Sequence, residues 1–407
     1  MNHGYTMNEI PVQKQIRIAI AGAGLGGLCL AQGLKKKGIQ CVLFEKDEAM
    51  NTRTQGYRIR INEQGRQALE DCLPEPLYQL FMETCAARTK GLKVFTPHLE
   101  KTGKELVDSW SDGIREVPDL KPNRLTLREI LVQGLEEKIH FGKAVTDYRR
   151  LENGEVLLSF ADGSTYTADL VIAADGVNSR IGTECCGDQK VNTGNITIYG
   201  RTFLTDENRE AIAAELRTGT SVILGDQFSL IADAMQFDFL KYNSSWDALS
   251  PLQDYFYWAF IGKPAAFGWP LQDFYTLSSQ EIFNHIRRVT DHWHPQLKAL
   301  LDFGDQQSLV MGPIRSSLPK EKWVSGNVTA LGDAVHAMSP AGGLGANTAF
   351  RDAALLAANI SEAVFGNTEL AFAIENYEDT MRIYSNEAII MSLEGGEVLY
   401  GNPVSGK

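Results

Sequence analysis

Long apolar runs are missing from this sequence, because no stretch approaches roughly 18 consecutive apolar residues. A membrane-spanning helix needs about 20 such residues, so no membrane span is expected. Residues 1–15 are polar and contain no apolar segment of the kind that signal peptides carry. We therefore expect a loose leader and no signal peptide.

Cysteine is scarce, and metal-binding patterns are missing. The six cysteines form no C-x-x-C pair, and the adjacent Cys185 and Cys186 have poor geometry for a mutual disulfide. This usage predicts reduced thiols and a cytoplasmic protein. The sequence has no H-E-x-x-H or similar cluster, so no metal site is predicted.

Positive charge is also in deficit. The chain has 39 Lys and Arg against 51 Asp and Glu, a formal net charge of −12. This balance argues against nucleic acid and anionic membranes as partners. With 407 residues, 43% of them hydrophobic and 22% charged, the chain has the composition of a globular protein of two or three domains.

The most informative stretch runs from Ile16 to Lys46. An apolar, isoleucine-rich run typical of a buried parallel strand ends at Ala21, and Gly22, Gly24 and Gly27 follow with G-x-G-x-x-G spacing. In such a unit the first glycine permits a tight turn, the second lets a pyrophosphate approach, and the third lets the helix pack on the sheet. The free N–H groups at the start of that helix attract phosphate.

A second apolar strand, Gln40 to Phe44, ends at Glu45. A carboxylate at this point suits the ribose hydroxyls of an adenosine. Strand, glycines, helix, strand and acid in this order predict a Rossmann-like dinucleotide-binding unit. The ligand stays open here, because FAD and NAD both carry the ADP moiety that this unit binds.

Two groups of arginines follow. Tyr57, Ile59 and Ile61 alternate with Arg58 and Arg60, a pattern that predicts a half-exposed strand. These arginines either reach a pyrophosphate or substrate carboxylate, or they form a solvated strand face.

A helix predicted from Arg124 to about Glu137 carries Arg124 and Arg128 one turn apart, and Leu125 among its buried residues. The two arginines could clamp a diphosphate. The alternative is a surface ion pair with Glu129 or Glu136.

The region from about Asn192 to Val310 has a different character. Short strand-like runs rich in Phe, Tyr and Trp predict an antiparallel sheet. Such a sheet could line a pocket for a flat organic molecule, or its aromatic residues could form an ordinary core. In ITIYGRTF, alternation puts Tyr199 and Arg201 on one face. Arg201 could bind a substrate oxygen or lower the pKa of a phenol, and the alternative is a structural ion pair.

A third motif lies near the C-terminal end. The buried strand Val328–Leu331 runs into Gly332 and Asp333, and a loop rich in proline and glycine leads to Asn347 and a helix predicted from Thr348 to Glu362. Such a loop leaves backbone N–H groups open to a ligand, and a helix N-terminus stabilises negative charge. A further helix is predicted from about Leu370 to Leu393. His336 is expected to be a structural residue.

Three motifs in one chain order, GAGLGG with Glu45, ADGVNSR (174–180) and LGDAVHAMSPAGGLGAN (331–347), resemble the flavoprotein monooxygenases of the para-hydroxybenzoate hydroxylase type, the group A family. The resemblance covers essentially the whole chain. It implies an α/β (α+β) fold in which a Rossmann-like FAD-binding domain is interleaved with an antiparallel-sheet substrate domain, and C-terminal helices follow. It further implies the following cofactor-binding residues: Gly22, Gly24, Gly27, Glu45, Lys46, Arg58, Arg128, Asp175, Asp333, Pro340, Gly343, Gly345, Ala346 and Asn347.

The resemblance also assigns roles. Glu45 would hold the adenosine ribose, Arg128 the diphosphate and Asp333 the ribityl or phosphate end of FAD, while the residues from Gly343 to Asn347 would follow the pyrimidine edge of the flavin. One position departs from the family: many relatives have an arginine seven residues past the aspartate of the second motif, where this chain has Gly182 and the nearest arginine is Arg180. A second G-x-G-x-x-G is absent, as in relatives that bind NAD(P)H only transiently.

The activity implied is an NAD(P)H-consuming, FAD-dependent monooxygenase. It would use O2 to transfer one oxygen atom from a flavin C4a-hydroperoxide to a hydrophobic or aromatic small molecule, by hydroxylation or epoxidation, in secondary metabolism or aromatic catabolism. Tyr199 and Arg201 are the candidate catalytic residues. The alternatives are a flavin reductase or dehydrogenase, a Baeyer–Villiger enzyme, a halogenase, whose G-W-x-W-x-I-P signature is absent, and a non-enzymatic nucleotide-binding regulator.

The expected domain organisation is discontinuous. A leader (1–15) precedes an FAD-binding domain formed by residues 16–90, 120–190 and 311–365. The substrate domain comprises residues 91–119 and 191–310, and residues 366–407 form a C-terminal helical segment.

Overall fold

The computed structural model describes residues 16–50, 52, 56–87, 91–103, 119–241, 243–269, 276–366 and 368–400. The described helices are α1 Leu25–Lys36, α2 Glu63–Cys72, α3 Glu75–Thr84, α4 Arg124–Val132, α5 Arg180–Cys186, α6 Ser279–Val289, α7 Pro295–Asp302, α8 Asp333–His336, α9 Gly345–Phe365 and α10 Leu370–Tyr400. None of them combines the length and apolar character that crossing a membrane requires.

The described strands form three sheets. They are β1 Ile18–Ala21, β2 Cys41–Phe44, β3 Leu92–Phe95, β4 Ile139–His140, β5 Val145–Arg150, β6 Val156–Phe160, β7 Thr165–Ala168, β8 Leu170–Ala173, β9 Lys190–Phe203, β10 Thr220–Leu224, β11 Phe228–Met235, β12 Tyr255–Gly262, β13 Val310–Ser317 and β14 Val328–Ala330.

The first sheet is parallel, with strand order β14-β8-β1-β2-β4. Every residue of β1, β8 and β14 is buried, as expected for parallel strands covered on both faces. The helix α1 packs against α9, α2 and α4, so the N-terminal and C-terminal parts of the chain share one core. This arrangement confirms the predicted Rossmann-like α/β unit.

The second sheet has six strands in the order β13-β9-β12-β11-β10-β3, antiparallel except between β3 and β10. One face carries Ile198, Trp258 and Phe260 and packs against α6 and α7 in a second core. Because side chains alternate along a strand, the opposite face presents Tyr199 and Tyr257 to a cavity beside the first sheet.

The predicted aromatic lining is therefore largely a hydrophobic core. Eight of the aromatic residues in this region pack into the second core: Phe228, Phe256, Trp258, Phe260, Phe267, Trp269, Phe283 and Trp293. Tyr199 and Tyr257 line the cavity. Sequence composition cannot separate the two faces, since both belong to the same strands.

The third sheet is the antiparallel β5-β6-β7, and its connections contain the pairs Asn153-Gly154 and Asp162-Gly163. Both glycines have a φ of +81°, a conformation that favours glycine.

Several predicted boundaries need correction. The helix α4 ends at Val132 and not near Glu137, and Leu125 at its start is 36% exposed. The segment from Tyr57 to Ile61 forms isolated bridges, with Arg58 opposite Asn123 and Ile61 opposite Leu120, and no continuous strand. Both segments contact parts of the chain that are distant in sequence, and local sequence patterns do not predict such contacts.

Other boundaries shift along the chain. The helix α9 begins at Gly345 and α10 extends to Tyr400, so both are longer than predicted. The strand β13 pairs with β9, so the second sheet continues to Ser317, past the predicted end of the substrate domain at 310. The predicted leader lies outside the described residues. The domain division as a whole stays a prediction.

Candidate functional site

The glycine motif forms the turn from β1 into α1. Gly22 has a φ of +111°, and a Cβ there would lie 2.4 Å from the carbonyl oxygen of Ala174. A Cβ on Gly27 would lie 2.2 Å from the carbonyl oxygen of Gly22. Around Gly24, no heavy atom lies within 4 Å of the position that a Cβ would take, so its surface is open. Two of the glycines therefore serve close packing, and the third leaves room for a ligand.

Glu45 lies at the end of β2, beside this turn. Its Oε2 accepts a hydrogen bond from the backbone N–H of Ala23 at 2.9 Å, and its Oε1 accepts one from Asp47 at 3.0 Å. The carboxylate is thus fixed at the rim of a cavity of approximately 430 Å³ that Gly22, Gly24 and Lys46 also line. A ribose in this cavity would meet the carboxylate that the sequence predicted for it.

Arg128 is only 2% exposed, although a surface ion pair was one of its predicted alternatives. Its Nε donates to the carbonyl of Ala23 at 3.1 Å and its Nη1 to that of Met50 at 2.7 Å. Its Nη2 lies 3.7 Å from Oε2 of Glu45. The ion pair with Glu129 or Glu136 is therefore wrong, because Arg128 bonds to the backbone around the glycine turn. The neighbouring Arg124 lines the cavity.

Asp175 and Gly176 follow β8 and line the same cavity. Burial raises the pKa of the Asp175 carboxyl group, and its Oδ1 has no hydrogen-bond partner among the described residues. An unpartnered buried oxygen that faces a cavity is suited to a polar ligand.

The departure at Gly182 has a structural reason. A Cβ on Gly182 would lie 2.0 Å from the carbonyl oxygen of Ala334, so α5 packs directly on the third motif and leaves no space for an arginine there. Arg180 points outward, and its Nε donates to Glu184 at 2.7 Å.

The third motif lines a second cavity, of approximately 400 Å³. Gly332 and Gly343 both have a φ of +62°, which bends the chain around α8 and into α9. The candidate residues of this motif that line the cavity are Asp333, Pro340, Gly343, Gly345 and Ala346. The first amides of α9 have no partner within the helix, so Gly345 and Ala346 present donors at its positive end.

Asp333 is exposed, and it lines the cavity. The partial loss of water raises the pKa of its carboxyl group, against the opposing charges of His336, Arg124 and Lys190. The carboxyl group of Asp333 therefore lies where the chain enters the loop of the third motif.

The side chain of Asn347 has a different role from the one predicted. It is 3% exposed, and its oxygen accepts the N–H of Asn62 at 2.9 Å. Its amide group donates to the carbonyls of Arg60 and Gly343, both at 2.9 Å. Asn347 therefore ties three chain segments together, and it is absent from the residues that line the described cleft.

The two cavities form one cleft, because Gly24, Arg124, Ala174, Gly176 and Tyr199 line both. Gly24 from the first motif and Gly343 from the third line the same cavity. Two segments about 300 residues apart thus converge on one elongated site, with the glycine turn and Glu45 at one end and the third motif at the other. The groups along this cleft fit FAD. They are a carboxylate for a ribose, an open glycine turn for a pyrophosphate, and helix N–H groups for a ring system.

The two candidate catalytic residues differ in their position relative to the cleft. Tyr199 lines the cleft, but Arg201 is absent from the residues that line its described part. The Nε of Arg201 lies 3.2 Å from Oδ2 of Asp305, and its guanidinium stacks over Phe203 at 4.4 Å and Tyr57 at 4.9 Å. Its geometry favours the structural ion pair over a contact with substrate.

Arg58 lines the cleft and forms a buried ion pair with the second sheet. Its Nε lies 2.7 Å from Oδ2 of Asp233, which is fully buried on β11, and Nζ of Lys121 lies 2.9 Å from Oδ1 of the same carboxylate. Burial alone would raise the pKa of Asp233, but the charges of Arg58 and Lys121 lower it. Arg58 is thus held by the second sheet while it lines the cleft.

Sequence reasoning missed two groups of residues. One group lies on the second sheet and comprises Asp233 and Tyr257. The sequence feature that could have revealed it is the single acid in the buried run FSLIADAM. The other supports the third motif.

This second group centres on Asp352 of α9. Asp352 accepts the N–H of Gly332 at 2.8 Å, Nε2 of His336 lies 2.6 Å from it, and the hydroxyl of Tyr384 donates to it at 2.7 Å. Burial opposes the charge on His336, but the carboxylate raises its pKa. His336 is fully buried, as expected for a structural residue.

Comparison with known proteins gives a consistent result. Residues 127–385 match the FAD binding domain family, and residues 20–67 match an NAD(P)-binding Rossmann-like domain. The chain is 32% identical over 409 residues to the dual O-methyltransferase/FAD-dependent monooxygenase CTB3 of Cercospora beticola, an alignment that covers 94% of this chain and 46% of CTB3. The chain thus spans about half the length of such relatives. It is also 28% identical over 363 residues to the 6-hydroxynicotinate 3-monooxygenase of Pseudomonas fluorescens, covering 88% and 86% of the two chains.

Solved structures show the same fold. A candidate FAD-containing monooxygenase from Photorhabdus luminescens superposes with a TM-score of 0.82 at 29% identity, covering 95% of this chain and 98% of the other. The Klebsiella pneumoniae protein HpxO, solved with FAD and uric acid, gives a TM-score of 0.75 at 22% identity, covering 97% and 91%. With the motifs and the cleft, these matches establish that the chain belongs to the FAD-dependent group A flavoprotein monooxygenases.

Proposed function

We propose that this chain is a monooxygenase that consumes NAD(P)H and O2 and transfers one oxygen atom to a hydrophobic, aromatic small molecule. The observation that carries this proposal is the single cleft that Gly24 and Gly343 line together. An elongated flavin nucleotide suits such a cleft, and the second sheet closes the side where a substrate would meet the ring.

In the balanced reaction, NAD(P)H and one proton provide two electrons. One atom of O2 enters the product and the other leaves as water, with NAD(P)+ as the oxidised donor. FAD, when bound, supplies the redox chemistry and the activation of O2. The protein must hold the cofactor, stabilise negative charge, exclude water and position the substrate carbon.

The residues of the first sheet suit the cofactor tasks. Glu45 would accept hydrogen bonds from the ribose hydroxyls, and the open surface of Gly24 would admit the pyrophosphate to the start of α1. Asp333 would hold the ribityl or phosphate end. The free amides of Gly345 and Ala346 would stabilise negative charge on the ring system.

The residues of the second sheet suit the substrate. Ile231, Ile261, Tyr199 and Tyr257 form an apolar and aromatic wall on the cleft. Such a wall favours a flat hydrophobic molecule and keeps water away. Relatives named 6-hydroxynicotinate 3-monooxygenase and zeaxanthin epoxidase are consistent with either hydroxylation or epoxidation.

A screen under ¹⁸O2 tests this proposal. The FAD-loaded protein is mixed with NADPH or NADH and a panel of hydrophobic aromatic compounds, and NAD(P)H oxidation, O2 uptake and product mass are recorded. We expect a compound that accelerates NAD(P)H oxidation and gains one ¹⁸O atom. Catalase is added in a parallel reaction, so that peroxide released without oxygen transfer is measured separately.

The alternatives give different results. A reductase would convert the substrate without incorporating ¹⁸O, and a Baeyer–Villiger enzyme would give an ester or lactone from a ketone. A protein whose yellow colour does not bleach with NAD(P)H under any substrate would be a flavin-binding regulator, which would contradict the proposal.

A further inference from the structure

The last turn of α10 reaches the second sheet on the side that faces the cleft. The hydroxyl of Ser229 on β11 donates to the carbonyl oxygen of Leu399 at 2.7 Å. Leu399 is 5% exposed and packs in one apolar cluster that also contains Ile231, Ile261 and Ala341. Since Ile231 and Ile261 line the cavity of the third motif, α10 ends behind one part of the cavity wall.

The strand register locates this contact along the sheet. Ser229 lies opposite Ile261 in the pairing of β11 with β12, and Asp233 lies opposite Tyr257. Ser229, Ile231 and Asp233 alternate with core residues, so they share the face that the cleft adjoins. At about 3.4 Å per residue, Ser229 and Asp233 are about 14 Å apart along the strand. The wall therefore has a charged end at Asp233 and an apolar end under α10.

The loop of the third motif closes the same apolar end from the other side. Pro340 lines the cavity, and the next residue, Ala341, is fully buried in the cluster with Leu399. A Cβ on Gly342 would lie 2.8 Å from the hydroxyl oxygen of Ser392 on α10, so the helix and the loop are in close contact. The end of α10 is thus held between the loop and the second sheet, and Leu399 and Ala341 form an end wall of the cavity.

We propose that Leu399 limits the length of the substrate, because it supports Ile231 and Ile261 at the closed end of the cavity. The cluster around Leu399 is apolar, so an apolar end of a substrate is favoured there over a charged one. The substrate class is then a hydrophobic molecule whose apolar end points toward α10. Leu399 is a positioning residue for substrate length and not a catalytic one. This assignment rests on the proposed oxygenase function and deepens it.

A shorter side chain at position 399 should lengthen the cavity. Leu399→Ala removes the branched end of the side chain, and the surrounding atoms of a packed core relax only partly into such a space. An apolar cavity stays free of water and takes up apolar groups. We expect the new space to hold about two further carbon atoms of a ligand.

Binding of a homologous series to the FAD-loaded protein tests the assignment without turnover. The probes are the unbranched 4-alkylphenols from 4-methylphenol to 4-octylphenol, which differ only in the length of an apolar chain. Dissociation constants come from the change in the flavin absorption spectrum. We expect affinity for the unaltered protein to rise by about fourfold for each added carbon. Affinity should then fall beyond one chain length, where the probe meets the end wall.

Three variants of Leu399 grade this length limit. Leu399→Ala should move the chain length of tightest binding upward by about two carbon atoms, and Leu399→Val by about one. Leu399→Met conserves the volume of the side chain and should keep the limit of the unaltered protein. Circular dichroism and FAD content are checked for each variant, and Leu399→Val keeps the test decisive if Leu399→Ala does not fold.

Met381→Ala is the matched control. Met381 is also a fully buried residue of α10, but it packs in the first core, so its loss should lower stability without moving the length limit. The same shift in Met381→Ala would overturn the assignment, because the shift would then follow from lost stability.

Three further results would overturn the assignment. They are a series that does not bind, a series without a length limit, and a limit that stays unchanged in both Leu399→Ala and Leu399→Val. A limit that shifts as expected, without oxygen transfer to any compound, would leave the end wall in place and remove the oxygenase function, so the two failures are distinguishable.

Discussion

The glycines of the first motif allow packing and ligand binding to be separated by experiment. In Gly27→Ala the new Cβ would lie 2.2 Å from the carbonyl oxygen of Gly22, whereas ordinary contacts are about 3.4–4 Å. Alanine gains about 1 kcal/mol over glycine inside a helix. The obstacle is backbone in a closely packed turn, so we expect overpacking to outweigh this gain and a net loss of roughly 2 kcal/mol or more.

Gly24→Ala should behave in the opposite way. Gly24 is the N-cap of α1 with φ −77° and ψ −179°, values that alanine adopts, and no heavy atom lies within 4 Å of its Cβ position. The gain of about 0.4–1 kcal/mol from a less flexible unfolded chain is offset by a loss of about 0.5–1 kcal/mol, since alanine is a poorer N-cap residue than glycine. We expect stability within about 0.5 kcal/mol of the unaltered protein.

The methyl group of Gly24→Ala would, however, stand where the pyrophosphate has to approach. We expect FAD affinity to fall at least tenfold, equivalent to about 1.4 kcal/mol. Urea denaturation without added FAD measures the stability of both variants, and quenching of flavin fluorescence on titration measures the affinity. Gly24→Ala that unfolds as easily as Gly27→Ala, or that binds FAD normally, would refute the division of roles.

Three further predictions concern residues around the cleft. Asp352→Asn should cost about 2–4 kcal/mol and weaken FAD binding, since it disrupts three buried hydrogen bonds at the third motif. The control is Glu378→Gln, which changes a buried acid that accepts a hydrogen bond from Ser325, and it should leave FAD affinity unchanged. The raised pKa of His336 should add to the free energy of unfolding, in full below about pH 6.5 and less as pH rises through the folded-state pKa. Denaturation from pH 5 to 9 measures this contribution, which should vanish in His336→Gln. Arg201→Ala should lose about 1 kcal/mol and keep its FAD affinity and turnover; a large fall in kcat with FAD bound would restore its catalytic assignment.

The cofactor end of the cleft could be predicted from the sequence because its chemistry depends on backbone. Gly22, Gly24 and Gly27 act through the absence of side chains, and their spacing along one turn is a local property. Glu45 follows its strand directly, and the parallel pairing of β1 with β2 brings it to the glycine turn. Fold and cofactor were therefore accessible from short motifs.

The substrate end could not be predicted in the same way, since its polar groups are selected by pairing between distant strands. Tyr199 and Arg201 share a face of β9, as alternation requires, yet only Tyr199 reaches the cleft. Arg201 lies further along the strand, where Asp305 is within reach. Alternation gives the face of a strand but not which position along it meets a ligand.

Arg58 illustrates the same limit from the other side. Its position soon after Glu45 suggested a pyrophosphate or a substrate carboxylate, but the position of a long side chain depends on where its counter-charge lies. That counter-charge is Asp233, 175 positions further along the chain and fully buried in a strand that has no other charged residue. A buried acid in such a strand requires a cation, and this cation, Arg58, also lines the cleft. The rule that transfers to other sequences is to treat an acid inside an apolar strand of the substrate sheet as the sign of an arginine or lysine at the site, and to look for that cation among the residues left unexplained by the cofactor motifs.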